Sequence, residues 1–218
     1  IMPTFGDEMN RGFYLRDGGY YFAISDNMDL KVLGEIFTKG SWGLSAQSNY
    51  AKRYKYSGSF SFSYAQNKTG IRKSSKYQSR NDFKINWTHT QDPKANPNHS
   101  FSANVNFVTS QYNKTNPSTT TDYLSNTFNS SIAYQTSFFN KKLNFSLNAG
   151  HTQNTLDGKM TFTFPNFSLS SPKIYPFKKK IASGKQKWYE KIYFSYSMVG
   201  KNELTSVDSL LFEGNIWD

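Results

Sequence analysis

Catalysis and metal binding need particular side chains at particular spacings, so the candidates come first. The three histidines, His89, His99 and His151, stand far apart, and none has a second histidine or a carboxylate at metal-ligand spacing. Cysteine is absent, which removes thiol nucleophiles, thiolate metal sites and disulfides from this segment. No glycine-rich phosphate loop, G-x-S-x-G elbow or paired-carboxylate motif occurs. Asp26 and Asp29 flank a turn and read as its caps, and Asp92 beside Pro93 reads as turn chemistry. The expectation is a chain that is not an enzyme and needs no cofactor. What remains is charge: 26 Lys and Arg against 15 Asp and Glu, a formal net charge of +11. A basic surplus suits nucleic acid, an anionic membrane surface or an anionic ligand. Aromatics interleaved with cations suit single-stranded nucleic acid, but aromatics on every strand fit a lipid-facing band better, so no nucleic-acid partner is expected.

The elements that must carry these cations are strands. Tyr56, Gly58, Phe60, Phe62 and Tyr64 alternate with Ser57, Ser59, Ser61 and Ser63. Phe83, Ile85 and Trp87 alternate with Asp82, Lys84, Asn86 and Thr88, and Phe101, Ala103, Val105 and Phe107 with Ser102, Asn104 and Asn106. Leu143, Phe145, Leu147 and Ala149 oppose Asn144, Ser146, Asn148 and Gly150; Ile192, Phe194, Tyr196 and Met198 oppose Tyr193, Ser195 and Ser197. A strand sends successive side chains to opposite faces, so each run has one apolar and one polar face. The alternation predicts strands near 19–25, 28–38, 41–51, 54–67, 78–90, 99–110, 124–138, 142–153, 159–170 and 187–200, with a last one from about 209. Turn chemistry lies between them at Lys39-Gly40, Gln91-Asp92-Pro93, Asn116-Pro117, Asn140-Lys141 and Asp157-Gly158. No segment of useful length repeats at 3.6.

Composition narrows the architecture. The hydrophobic fraction is 36%, whereas roughly 45–50% is usual for a soluble globular domain. Yet 17% of residues are aromatic, which a disordered chain would lack. No run nears the roughly 20 apolar residues of a spanning helix, and Tyr20–Ile24 is the longest clear one. Long strands with one apolar face and a Ser, Asn, Thr and Lys face are the pattern of a transmembrane barrel. The predicted fold class is therefore all-β: an antiparallel up-and-down transmembrane β-barrel segment of about 10–11 strands. A soluble sandwich and a secreted β-repeat adhesin also alternate and stay open on pattern alone. Ile1-Met2-Pro3-Thr4 has neither the basic nor the apolar region of a signal peptide, so the chain is expected to be an internal fragment, open at its edges.

Four strings in order sharpen this. The first is Arg11-Gly12-Phe13-Tyr14-Leu15 leading into Gly19-Tyr20-Tyr21-Phe22-Ala23-Ile24-Ser25, then Met28-Asp29-Leu30 and Thr38-Lys39-Gly40-Ser41-Trp42. The second is Lys52-Arg53-Tyr54-Lys55-Tyr56-Ser57-Gly58, and the third Trp87-Thr88-His89-Thr90-Gln91-Asp92-Pro93-Lys94-Ala95-Asn96-Pro97. The fourth joins Phe164-Pro165-Asn166-Phe167-Ser168-Leu169, Lys173-Ile174-Tyr175-Pro176-Phe177-Lys178 and Lys187-Trp188-Tyr189-Glu190-Lys191-Ile192. In order and spacing the chain resembles the barrel of the lipopolysaccharide-assembly family LptD, in its Bacteroidota form.

That resemblance implies a cell-outer-membrane translocon. It passes lipopolysaccharide through the barrel lumen and out sideways through a gate between first and last strands. It also implies membrane lipids as surroundings, an LptE-like plug lipoprotein in the lumen, and an LptA-like periplasmic bridge reached through a jellyroll domain. Residues 1–15 would be the junction from that jellyroll and 16–218 the N-terminal part of the barrel. The first barrel strand would be one lip of the gate, with Gly18, Gly19, Tyr20, Phe22 and Ile24, and with Gly34 on its neighbour. Glycine weakens a strand, although Gly18-Gly19 as a simple strand start remains the alternative. Candidate contacts for the anionic substrate are Lys31, Lys84 and Lys191 on lumen faces, Arg53, and the run Lys178, Lys179 and Lys180. Solvated lumen and turn charge is the other reading of these cations. Another large outer-membrane barrel, a porin or plugged nutrient transporter, is the alternative function.

Overall fold

The computed structural model describes residues 1–70, 74–75, 77–117, 119–179 and 187–207. Eleven strands run in sequence order: β1 Thr4–Glu8, β2 Gly12–Ser25, β3 Met28–Phe37, β4 Trp42–Lys52, β5 Tyr56–Thr69, β6 Gln78–Gln91, β7 His99–Val108, β8 Thr127–Phe138, β9 Leu143–Asn154, β10 Lys159–Ile174 and β11 Phe194–Val207. They form one 11-stranded sheet in which each strand pairs with its sequence neighbours, always antiparallel. Strand β1 does not pair with β11, so the up-and-down sheet stays open, as expected of a barrel segment. No helix among the described residues is long and apolar enough to cross a membrane.

Register keeps the two faces separate over the whole sheet. One lateral row reads Tyr21, Lys31, Gln47, Ser61, Asn86 and Asn106 from β2 to β7. The adjacent row reads Tyr20, Val32, Ala46, Phe62, Ile85 and Phe107. A slip of one residue anywhere would exchange these rows. Where the sequence itself changes phase, a bulge restores it. In β10 the apolar positions move from even (Met160, Phe162) to odd (Phe167, Leu169), and Thr163 and Asn166 pair with Gly150 and Asn148. Two residues on β10, Phe164 and Pro165, thus oppose one on β9, Ala149. Strand β2 does the same at Arg16 and Asp17, where Asp17 takes a φ of 61°.

Several expected boundaries move. The first long strand starts at Gly12 rather than 19, because Gly12–Arg16 pair with the short β1. The strand expected at 187–200 runs instead from Phe194 to Val207, after a 3-10 turn at Trp188–Lys191. The strand expected from about 209 lies outside the described residues. Between β7 and β8 stand two short helices, α1 Tyr112–Thr115 and α2 Thr120–Leu124, so β8 begins at Thr127 rather than 124. One turn of helix is too short for a 3.6 repeat to register, although Thr119 accepting from the Asp122 backbone N–H is an N-cap the sequence spells out.

The glycines of β2 and β3 differ in their freedom. A Cβ on Gly19 would lie 1.9 Å from the Val32 carbonyl oxygen, whereas on Gly34 it would meet nothing nearer than 3.9 Å. Gly19→Val should therefore cost about 3 kcal/mol or prevent assembly, while Gly34→Ala should leave the folded fraction unchanged. Heat-modifiable migration on gels reports that fraction, and equal behaviour of the two variants would refute the steric account.

Candidate substrate-facing surface

The polar face is built mostly from short side chains: Ser45 and Asn49 with the longer Gln47 on β4, Ser59, Ser61 and Ser63 on β5, and Asn86 and Thr88 with the longer Lys84 on β6. The apolar face, in contrast, exposes Tyr20 at 65%, Ile36 at 59% and Leu44 at 49%. So large an apolar area is stable only against an apolar neighbour, which a bilayer supplies.

The connection 109–126 folds onto the polar face and is tied down at several points. Near its start, Thr109 Oγ1 donates to Asp82 at 3.2 Å and accepts from the Phe83 N–H. At its centre Tyr112 packs with Ala65, Val108 and Phe128. Burial holds the Tyr112 hydroxyl above the usual tyrosine range, so it stays protonated at physiological pH. Asn116 accepts from Arg11 Nη1 at 2.6 Å, and Asp122 pairs with Lys84 at 3.1 Å.

Arg11 is the hub. Its side chain is 2% exposed, in the turn between β1 and β2. Nε and Nη2 fork onto Glu8, Nη1 reaches Asn67 and Asn116, and the guanidinium lies 4.1 Å from the Phe37 ring centroid. Asn67 passes the network to Asp82, which also accepts from Arg80. The contact between Arg11 and Asn116 requires curvature. In a flat sheet five strand spacings of about 4.8 Å separate β2 from β7. The eight residues from Val108 to Asn116, partly helical, could barely span that. The sheet therefore curls toward its polar face. A cleft of about 230 Å3 there is lined by Arg16, Glu35, Gln47, Ser63, Tyr112 and Asn116, with Arg16 paired to Glu35 at 3.0 Å.

Of the residues read from sequence, Gly18, Gly19, Tyr20, Phe22 and Ile24 all lie on β2, and Gly34 pairs with Gly18. Ile1 exchanges backbone hydrogen bonds with Gly19, extending the cover that β1 gives to the edge of β2. Beyond Gly19 that edge has no strand partner among the described residues. The cations are dispersed. Lys31 and Lys84 stand on the polar face, two strands intervening, and Lys84 is already paired. Arg53 sits in the β4–β5 turn over Tyr54, while Lys178 and Lys179 are exposed after β10. Lys191 belongs to the 3-10 turn before β11 rather than to a strand face, and Lys180 lies outside the described residues. Sequence reading missed Arg11, Asn67, Asp82 and Asn116. The one available signal was Arg80 and Asp82, two apart and hence on one face.

Arg11→Lys keeps the charge but loses the fork, and should expose 109–126 to protease almost as fully as Arg11→Met. Each should cost about 3 kcal/mol by leaving buried polar partners unpaired. Unchanged proteolysis in both variants would show that Tyr112, Thr109 and Asp122 hold the segment without Arg11. The chain matches a family model described as LptD protein over residues 1–218. No curated protein matches it.

Proposed function

From the premise that this chain belongs to the LptD family, we propose that its polar face lines part of the route by which lipopolysaccharide leaves the cell. The protein is an outer-membrane β-barrel protein of lipopolysaccharide transport and assembly. The observation that carries the finer reading is the continuous polar row from Tyr21 to Asn106, backed by an apolar row that a bilayer covers. Moving an amphiphile needs no bond making, only one surface for sugars and phosphates and another for acyl chains, so the role is transport rather than catalysis.

In this reading the β2 edge from Tyr20 to Ser25 is one lip of the lateral gate. Its support is glycine at the start of that edge. Gly18 and Gly34, paired across β2 and β3, bring no side-chain packing to that lip. Lys31 and Lys84 contact the passing phosphates from the lumen side, and Arg53, Lys178, Lys179 and Lys191 meet them only near strand ends; Lys180 is a further candidate outside the described residues. Residues 1–15 continue into a jellyroll that receives the substrate from an LptA-like bridge, and an LptE-like lipoprotein occupies the remaining lumen.

Depletion of the full-length protein in its host should lower surface lipopolysaccharide, read by outer-leaflet labelling of intact cells, while lipopolysaccharide accumulates in the periplasm. Unchanged surface lipopolysaccharide with reduced uptake of a solute would replace this reading with a porin or transporter. Within the route, a photo-crosslinking residue at Lys31 should capture lipopolysaccharide, and one at Val32, on the apolar face, should capture several-fold less.

A further inference from the structure

Antiparallel neighbours in sequence order place every second connection at the same end of the sheet. One end therefore gathers the turns β2–β3, β4–β5, β6–β7, β8–β9 and the connection from β10 to β11. Lys52, Arg53 and Lys55 lie at the β4–β5 turn, Lys94 at β6–β7, and Lys141 and Lys142 at β8–β9. Around the β10–β11 connection stand Lys173, Lys178, Lys179, Lys187 and Lys191. All of these side chains belong to exposed residues, and among the described residues none forms an ion pair. The carboxylates nearby are Asp26, Asp29, Asp92 and Glu190. The last three accept backbone N–H groups, of Asn49, Lys94 and Lys187 respectively. Every ion pair of the described chain lies in the other half, at Arg11, Arg16, Arg80, Lys84 and Lys201.

A second observation sits beside this rim. On the apolar face, the Tyr50 hydroxyl accepts from Trp87 Nε1 at 2.8 Å and lies 3.0 Å from His89 Nδ1; Tyr56 and Phe101 pack on the same imidazole. Gly58 makes the room, since a Cβ there would sit 2.4 Å from the Tyr50 oxygen. Aromatic groups with satisfied polar tips collect where a bilayer meets water. The rim cations extend from this belt and rest on rings of their own: Arg53 and Lys94 over Tyr54 at 4.7 and 5.6 Å, Lys173 over Tyr193 at 4.3 Å.

We propose that this end of the sheet is a phosphate-binding collar, which seats the barrel on the anionic lipid headgroups of the leaflet it faces. Unpaired cations just beyond an aromatic belt lie at headgroup depth, and charge-assisted hydrogen bonds to lipid phosphates supply the counter-charges that the protein does not. The collar rests on the outer-membrane placement; it shares Arg53, Lys178, Lys179 and Lys191 with the proposed route, so its test uses rim lysines outside that set.

The test is the association of spin-labelled phosphatidylglycerol, against spin-labelled phosphatidylcholine, with the full-length protein in phosphatidylcholine bilayers. Wild type should favour phosphatidylglycerol about three-fold or more at low salt, falling as salt screens the rim. The combined variant Lys52→Gln, Lys55→Gln, Lys94→Gln and Lys142→Gln should bring that ratio toward unity. The same number of changes at the other end, Lys39→Gln, Lys68→Gln, Lys114→Gln and Lys159→Gln, should leave it near wild type. Equal loss in both variants would reduce the effect to net charge and overturn the collar, as would no preference in wild type. Inorganic phosphate that abolishes the preference at constant ionic strength would mean a soluble-anion site instead, and also overturns it. Gel migration confirms that each variant is folded. Surface lipopolysaccharide is read separately, so the collar and the translocation route can fail independently.

Discussion

In a membrane no water is at hand to satisfy backbone N–H and C=O groups, and the whole sheet is arranged around that constraint. Each strand meets it by pairing with its sequence neighbours, so no connection crosses the sheet and every interior strand has a ladder on both sides. Ladder pairing then couples every strand's alternation to its neighbour's. One apolar face toward lipid is possible only if all registers agree, which is why the sequence's phase change in β10 coincides with a bulge at Phe164-Pro165.

The polar face solves a different problem. A curved sheet with short serine and asparagine side chains leaves space on its concave side, and connection 109–126 fills part of it. Its attachment points are polar and cross-strand: Arg11 with Asn67 and Asn116, Asp82 with Thr109, Lys84 with Asp122. Such contacts are geometry-dependent, and the buried guanidinium is tolerated because a carboxylate, two amide oxygens and a ring face surround it. The brace links the β1–β2 turn to β5, β6 and the β7–β8 connection. The β1–β2 hairpin is thereby held from inside the curve.

Charge follows the same division of ends. Near the brace, Arg11, Arg16, Arg80 and Lys84 have carboxylate partners within the protein, while Lys39, Lys68, Lys114 and Lys159 do not; at the opposite end no described cation has one, and an aromatic cluster stands beside them. The basic surplus seen in the composition is therefore a local property of one rim, where lipid phosphates are the available counter-charge.

The sequence by itself determined the fold class, the faces of most strands and most strand positions, because alternation is local; it missed β1, and its phase breaks at the β2 and β10 bulges. It carried the family too, through four ordered strings matched by the whole-chain family assignment. Boundaries failed where pairing overrode pattern: Gly12–Arg16 became strand because β1 lies beside it, and residues 201–207 because β10 extends that far. Only the tertiary structure decided which residues share a site. Arg11 and Asn116 are 105 residues apart, and nothing in either neighbourhood announces the other, since their meeting depends on the curl of five intervening strand spacings. The rim was hidden for the same reason: Lys52 and Lys142 become neighbours in function only when antiparallel pairing brings alternate turns to one end.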